Sequence, residues 1–329
     1  MTATTVDVGL DDLEQYRREL TGYCYRMLGS VFEADDAVQE TMVRAWKGLD
    51  DFEGRSAVRS WLYRIATNVC LDMLRGRQRR VRAMDLGQTY TPDSFKGVTR
   101  PNEAWVEPIP DARVVDPDET DPAALAAQRD SIRLAFVAAL QHLPAKQRAV
   151  LILREVLRWQ ATEVADLLDT SVASVNSALQ RARATLAARD VESTTTTASA
   201  TTDMDADQQA LLARYVDAFE RYDIEALVAL LHEDAVMSMP PYDFWLQGPE
   251  HMGTWFGGPG IGCKDSLVRV TTGGNGCPAV GTYRVDPNGG HSPWALQVLE
   301  ISDGRIIGHH NFLDTRLFEV FGLPAHLDA

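Results

Sequence analysis

The sequence predicts a multidomain fold in which two all-α domains precede a C-terminal α+β domain. Its 329 residues exceed what one hydrophobic core usually fills. Apolar residues recur at helical spacing over residues 10–77 and again over 130–188. From about residue 205 the pattern changes from helical spacing to strand-like runs, and helices followed by consecutive strands are typical of an α+β domain.

The charge is distributed unevenly along the chain. The total of 32 basic and 47 acidic residues, a net charge of −15, argues against a protein that binds nucleic acid through overall charge. Residues 83–130 hold 4 basic and 10 acidic groups and residues 203–329 hold 7 and 18, whereas residues 1–82 hold 13 of each. Residues 55–82 contain eight arginines and a single acidic residue, Asp72, and Trp61 and Tyr63 lie among the arginines. This composition favours phosphate and base contacts over a solvated helix face.

The first domain is predicted to be a compact helical bundle over residues 8–82. Apolar residues indicate helices over 10–30, 34–49 and about Ala57–Arg77. In the second of these the apolar stripe includes Ala37, Val38 and Trp46.

Residues 83–129 form a predicted connector that is acidic and rich in proline, without helical or strand periodicity. Such a composition predicts an extended, flexible spacer. Trp105 and Val106 are unusual in a spacer, and they predict that part of the connector docks on a folded surface.

A helix-turn-helix is predicted within a second helical domain at residues 130–190. A short helix over Ala161–Leu168 is followed by the turn Asp169-Thr170-Ser171 and a helix from Val172 to about Ala188. Ser171 can cap the second helix, whose outer face would enter a DNA major groove. The alternative, an ordinary helical hairpin, stays open on this segment alone. The residues of this outer face and its cap are Ser171, Ser174, Asn176, Ser177, Gln180, Arg181 and Arg183.

The third domain, residues 205–329, follows a low-complexity linker at 191–204. Strand-like runs occur at 235–239, 267–272, 279–285, 294–301 and 305–312. Asn288-Gly289 and Asp303-Gly304 are hairpin signals between the last three runs. These features predict an antiparallel sheet preceded by helices.

Two ordered blocks resemble the bacterial sigma-70 factors of the extracytoplasmic-function (ECF) group. Glu33–Trp46, Phe52–Ser56 and Trp61–Asn68 are similar to sigma region 2, and Leu143–Arg183 is similar to region 4. The resemblance implies a sigma factor that brings core RNA polymerase to promoter DNA, melts the −10 element and binds the −35 element through the helix-turn-helix. It also implies that the acidic connector threads the polymerase cleft.

The resemblance assigns roles by position. The implied protein partners are the β′ and β subunits of core polymerase. The surface that binds β′ would consist of Asp35, Asp36, Gln39, Glu40 and Arg44. The −10 reader, extended by the arginines of the basic run, would consist of Phe52, Arg55, Ser56, Trp61, Arg64, Asn68, Arg75, Arg77, Arg79 and Arg80. A core aromatic is the alternative for Trp61. The −35 reader would be the outer face of the helix-turn-helix.

The final domain resembles the SnoaL-like, cone-shaped fold related to ketosteroid isomerase and nuclear transport factor 2. The resemblance implies regulation in cis, without a separate anti-sigma factor. A candidate pocket that could hold a small-molecule ligand would be lined by Asp243, Trp245, His251, Trp255, Trp294 and His309. His309 and His310 on one strand would point to opposite faces and could not ligate one metal. We therefore expect no catalytic residue, cofactor or metal, and the protein is predicted not to be an enzyme.

Two alternatives remain open at this stage. One is a ligand-responsive helix-turn-helix regulator that never joins polymerase, and the other is an isomerase or cyclase domain fused to a DNA-binding module. Failure to form a complex with core polymerase in a pull-down, together with operator binding by the isolated protein, would favour the first alternative. Enzymatic turnover that is lost when Asp243 is changed would favour the second. The absence of an 18-residue apolar window or a secretory signal, together with four scattered cysteines, predicts a cytoplasmic protein.

Overall fold

A computed structural model of the protein describes residues 13–49, 57–190 and 206–328. The described residues form two compact units. The first comprises the chain up to Arg80, residues Arg113–Pro117 and the stretch from Leu134 to 190. The second comprises Val81–Ala112, Asp118–Arg133 and the C-terminal residues from 206 onward. No helix within the described ranges is long and apolar enough to cross a membrane.

The N-terminal helices of the first unit are α1 (Arg17–Leu28), α2 (Val31–Lys47) and α3 (Val58–Met73). The turn between α1 and α2 is set by Gly29, which has a left-handed φ of 73°, and by Ser30, whose hydroxyl accepts a hydrogen bond from the Glu33 N–H at 3.2 Å. The three helices enclose a core that includes Tyr23 and Tyr63.

The remaining helices of the first unit are α5 (Leu134–Gln141), α6 (Ala145–Leu151), α7 (Ala161–Leu167) and α8 (Val172–Asp190), with a π-helical turn at Ile152–Val156. Buried Arg148 ties them to α1, because its guanidinium donates to the Met27 carbonyl and, at 3.2 Å, to the Leu143 carbonyl. The predicted helices of both sigma-like blocks are confirmed to within a few residues.

The second unit contains a six-stranded mixed sheet covered by helices α9 (Ala206–Glu220), α10 (Ile224–Ala229) and α11 (Pro249–Gly257). The strand order is β2-β1-β6-β5-β4-β3, and only the β1–β6 pair is parallel among these described strands. The strands are β1 (Leu231–Ser238), β2 (Trp245–Gln247), β3 (Leu267–Val270), β4 (Ala279–Val285), β5 (His291–Ser302) and β6 (Arg305–Phe312), and helix α12 (Arg316–Val320) follows.

The connector is not the unstructured spacer that its composition predicts. It contains helix α4 (Pro122–Asp130), and most of it packs with the C-terminal domain. The Asn275 side chain links the middle of the connector to the residues just after it: its Oδ1 accepts from the Ile109 N–H at 2.9 Å, and its Nδ2 donates to the Ile132 carbonyl at 2.6 Å. Trp105 is buried beside Trp245, which confirms the predicted docking at that position.

Candidate promoter and polymerase interfaces

The helix-turn-helix has the geometry that the sequence predicts. Helices α7 and α8 pack through Val164, Val175 and Leu179, all of which are buried. The Ser171 hydroxyl accepts from the Ser174 N–H at 3.2 Å and caps α8. The predicted −35 residues are all exposed on this element: Ser171, Ser174, Asn176, Ser177, Gln180, Arg181 and Arg183. These exposed side chains can reach base edges and phosphates, except that the Arg183 guanidinium pairs with Glu155 at 2.5 Å.

Helix α3 carries three of the predicted −10 residues, Trp61, Arg64 and Asn68. Arg64 and Asn68 are exposed, whereas Trp61 is partly buried next to Gly48. The remaining predicted residues of the −10 pocket, Phe52, Arg55 and Ser56, lie outside the described residues.

The arginines after α3 do not form one uniform DNA-facing set. Arg75 is exposed beside Asp72, Arg77 pairs with Glu33, and Arg79 contacts the His142 ring. The sequence prediction that Arg80 contacts DNA is wrong for this structure. Arg80 is only 5% exposed and pairs with Glu33 at 2.9 Å, so it forms an internal ion pair and is not available to a phosphate in this structure.

The α3 surface contacts the second helical block directly. The Arg64 guanidinium donates to the Asp166 carbonyl of α7 at 3.0 Å. The ring of Tyr63 lies 5.0 Å from that of Trp159, and the Arg59 guanidinium stands 5.3 Å above the Trp159 ring. Helix α3, which carries predicted −10 residues, therefore contacts the first helix of the helix-turn-helix within the first unit.

The predicted polymerase surface lies along one side of α2. Asp36, Gln39, Glu40 and Arg44 are exposed, and Glu40 accepts from Arg44 at 2.7 Å. Asp35 is half-buried and pairs with Arg113 of the connector.

Sequence reasoning missed two apolar side chains on α2. Trp46 is 58% exposed and Val43 is 38% exposed, although the sequence pattern placed Trp46 on the buried stripe. The i, i+3 spacing puts both on one helix face. An exposed tryptophan next to charged groups is typical of a protein-binding surface.

The residues predicted to line one pocket in the C-terminal domain are dispersed, which corrects that prediction. Trp245 packs against the connector, Trp294 stacks under Arg284, and His251 is half-buried with its Nδ1 3.1 Å from the Gln247 carbonyl oxygen. Asp243 pairs with connector residue Arg100, and Trp255 belongs to an aromatic cluster. An open groove of about 650 Å³ contains none of them; it is lined by Ser292, Pro293, Thr315, Arg316, Phe318, Glu319, Leu323 and Ala325.

Buried polar side chains form a hydrogen-bonded network between helix α9 and strands β5 and β6, inside the SnoaL-like domain. The Tyr215 hydroxyl donates to Gln297 and lies 2.7 Å from His309 Nε2, and Asn311 contacts His309 Nδ1 at 2.9 Å. Burial, and then the charge of His310, lowers the pKa of His309 to about 3, so the ring is neutral at pH 7. The ring nitrogens of His309 are thus engaged with the protein's own side chains.

The opposite face of the sheet carries a second set of buried polar groups. His310 Nδ1 lies 2.9 Å from Ser238 Oγ, and its Nε2 lies 3.6 Å from Glu300, so His309 and His310 point to opposite faces as predicted. Burial alone would raise the pKa of Glu300, but His310 and the guanidinium groups of Arg82 and Arg133 lower it to about 2. No group of three or more His, Cys, Asp or Glu in the described part of the chain could hold a metal ion.

Models of three protein families match the chain in order. Sigma-70 region 2 matches residues 13–80, sigma-70 region 4 matches residues 133–186, and the SnoaL-like domain matches residues 212–309. These matches agree with the helical blocks, the helix-turn-helix and the α+β domain described above.

The chain is also similar to named relatives. It is 45% identical over 324 residues to the ECF RNA polymerase sigma factor SigG of Mycobacterium tuberculosis, covering 95% of this chain and 83% of that protein. It is 28% identical over 229 residues to the ECF sigma factor SigJ of the same organism, covering 70% of this chain and 64% of that protein.

A solved structure has the same fold over nearly the whole chain. The crystal structure of Mycobacterium tuberculosis SigJ aligns with a TM-score of 0.59 at 21% identity, covering 96% of this chain and 100% of that chain. None of these similarities supports the expectation that no separate anti-sigma factor is required. The chain belongs to the ECF RNA polymerase sigma factors, which direct core polymerase to promoters, and it carries a SnoaL-like C-terminal domain.

Proposed function

We propose that the SnoaL-like domain restrains this sigma factor in cis by holding the connector between its two sigma domains. The observation that carries the proposal is the Asn275 side chain, which binds the backbone of Ile109 in the connector and of Ile132 just after it. Anchoring these two points shortens the span of chain that is free to extend between the sigma domains, which limits how far the two domains can separate.

Promoter binding requires that separation. The −35 and −10 elements are centred about 25 base pairs apart, which is roughly 85 Å of B-form DNA at 3.4 Å per pair. Helix α3 and the helix-turn-helix instead contact each other through Arg64 and Asp166. The described arrangement is therefore a closed state, and transcription initiation needs it to open.

We assign the functional surfaces as follows. The exposed side of α2, from Asp36 to Arg44, binds the β′ subunit; Arg64 and Asn68 of α3 act at the −10 element; and the outer face of α8 reads the −35 element. The exposure of each surface and its match to the sigma family support these roles. As a member of this family the protein would act with polymerase in the cytoplasm.

We further propose that the C-terminal domain is a regulatory module and not an enzyme. The groups inside the cone that could move a proton, Tyr215 and His309, bond to each other, and Gln297 and Asn311 occupy their remaining positions. A general base needs an approach to substrate, which this network fills with protein side chains.

The restraint is tested by run-off transcription with core polymerase and the full-length Asn275→Gly variant. Glycine tolerates the left-handed φ of 56° at this position and removes both connector hydrogen bonds. We expect several-fold more transcript than from the wild type. Asn288→Gly, a matched change in an exposed hairpin of the same domain, should leave the yield unchanged. Equal yields from wild type and Asn275→Gly would refute restraint through the connector.

The DNA-reading roles are tested separately by promoter selection. Asn176, Gln180 and Arg181 replaced together by alanine should abolish dependence on the −35 sequence, because their side chains supply the exposed donors and acceptors of α8. Replacement of Arg64 and Asn68 should instead reduce open-complex formation, followed by permanganate reactivity of unpaired thymines. Unchanged transcription from both variants would contradict the assignment.

A further inference from the structure

The connector contributes an aromatic ring to the C-terminal domain at a cluster that we call the aromatic box, formed by Tyr242, Phe244 and Trp255. The ring centroid of Phe95 lies 4.9 Å from that of Phe244, 5.0 Å from that of Trp255 and 5.2 Å from that of Tyr242. Phe244 and Trp255 are buried and lie 4.6 Å apart. Phe95 thus sits among three rings as a bound aromatic group would.

Phe95 belongs to residues 87–100 of the connector, which we call the strap. Most of the strap is exposed, and only Pro92 in it is fully buried. Few backbone hydrogen bonds hold it, among them Tyr90 N–H to the Trp245 carbonyl and Arg100 N–H to the Pro241 carbonyl, both at 2.9 Å. A segment with so little buried surface is able to open locally at a small fraction of the cost of global unfolding.

The strap also contributes a cation at the rim of the box. The Arg100 guanidinium pairs with Asp243 at 2.8 Å, and the Asp243 side chain is 18% exposed. Asp243 lies between two box residues in sequence, and its N–H donates to the Val98 carbonyl of the strap. When the strap leaves, the box therefore gains three open ring surfaces and a carboxylate that has lost its guanidinium partner.

We propose that the aromatic box with Asp243 is a binding site for a small organic cation that carries an aromatic ring, and that Phe95 and Arg100 occupy it as an internal substitute. The box rings would stack on the ligand and attract its positive charge, and Asp243 would pair with it. The ligand and the strap compete for the same groups. This inference rests on the proposed cis restraint, because it gives the connector a chemical signal for release.

The test compares a cationic and an anionic aromatic dye, thioflavin T and 1-anilinonaphthalene-8-sulfonate, by fluorescence titration of the full-length protein. Phe95→Ala empties the box, and we expect it to bind thioflavin T at least ten-fold more tightly than the wild type does. Val98→Ala is the matched control, because it shortens an apolar strap side chain that is 56% exposed. It should behave like the wild type.

Two further variants keep the test decisive. Arg100→Ala frees Asp243 without touching the box rings, so it should also raise thioflavin T affinity even if Phe95→Ala proves unstable by circular dichroism. Adding Asp243→Asn to Phe95→Ala should remove the preference for the cationic dye. Unchanged thioflavin T binding in both Phe95→Ala and Arg100→Ala would overturn the proposal, and so would equal affinity for the two dyes.

The outcome is separable from that of the proposed function. More transcript from Asn275→Gly with no dye binding by the strap variants would refute the site and leave the restraint intact. Dye binding as expected, with no effect of Asn275→Gly on transcription, would support the site and refute the restraint.

Discussion

Arg113 of the connector forms an ion pair with Asp35, a residue of the predicted polymerase-binding side of α2. One carboxylate cannot pair with Arg113 and with a basic group of the β′ subunit in the same geometry. Arg113→Ala should therefore strengthen binding to core polymerase. Partly exposed ion pairs contribute about 0.2–1 kcal/mol, which corresponds to a roughly 1.4- to five-fold lower Kd.

Biolayer interferometry with immobilised core enzyme measures this change. Arg221→Ala removes an exposed arginine that pairs with Asp217 in the C-terminal domain, so it serves as the control and should leave the Kd unchanged. A weaker complex with Arg113→Ala would mean that Arg113 assists polymerase binding and does not compete with it.

A buried arginine is predicted to be the main polar support of the helical unit. The Arg148 guanidinium donates to the Met27, Gln141 and Leu143 carbonyls and to Gln141 Oε1 at 2.6 Å. Arg148→Ala leaves these buried acceptors without a donor, at about 1–3 kcal/mol each. We expect the free energy of unfolding to fall by about 3 kcal/mol or more in urea denaturation. Lys146→Ala, an exposed change on the same helix, should alter it by less than about 0.5 kcal/mol; similar losses from both would contradict the prediction.

The local patterns of the sequence predicted the helices and the helix-turn-helix well, because their signals lie within one or two turns of chain. Ser171 and the buried Val175 and Leu179 suffice to define the second helix of the motif. Strand β2 has only three residues, Trp245–Gln247, and is too short to show alternation. Trp46 follows buried Ala45 directly, and one residue of helical rotation, about 100°, carries it from the core to the surface.

The placement of the connector could not be predicted from local pattern. Its acidity and prolines indicate a spacer, whereas its order comes from partners more than 140 residues away, such as Asn275 for Ile109 and Asp243 for Arg100. The candidate pocket failed for the same reason. Composition identified aromatic and acidic side chains in the C-terminal domain, but Trp245 and Asp243 are occupied by the connector itself.

Asp111 is predicted to make stability fall as pH rises through 6. Burial raises the pKa of Asp111 from 3.8 to about 6, although its carboxylate accepts from the Gly276 N–H at 2.8 Å. The folded state therefore binds the proton more tightly than the unfolded state, so the stabilisation is complete below pH 3.8 and is lost above pH 6.

Asp111→Asn removes this titration and keeps an oxygen acceptor for Gly276. We expect the variant to match the wild type near pH 4 and to exceed its free energy of unfolding by about 1–3 kcal/mol at pH 7. Because His309 titrates in both proteins, the difference between their urea curves from pH 4 to 8 isolates Asp111. A difference that is independent of pH would be inconsistent with titration of this carboxyl.

Trp46 on α2 is predicted to be an energetic centre of polymerase binding. It is 58% exposed beside Val43, on a helix that also presents Asp36, Gln39 and Glu40, and burying a large aromatic side chain contributes about 1.5–3 kcal/mol. Trp46→Ala should therefore raise the Kd for core polymerase about 10- to 100-fold while the melting temperature stays unchanged, because the side chain supports little of the core. Val285→Ala shortens an apolar side chain that is 57% exposed in the C-terminal domain, and it should leave the Kd as it is. A Trp46→Ala protein that binds polymerase like the wild type would remove this residue from the interface and confine binding to the polar side chains of α2.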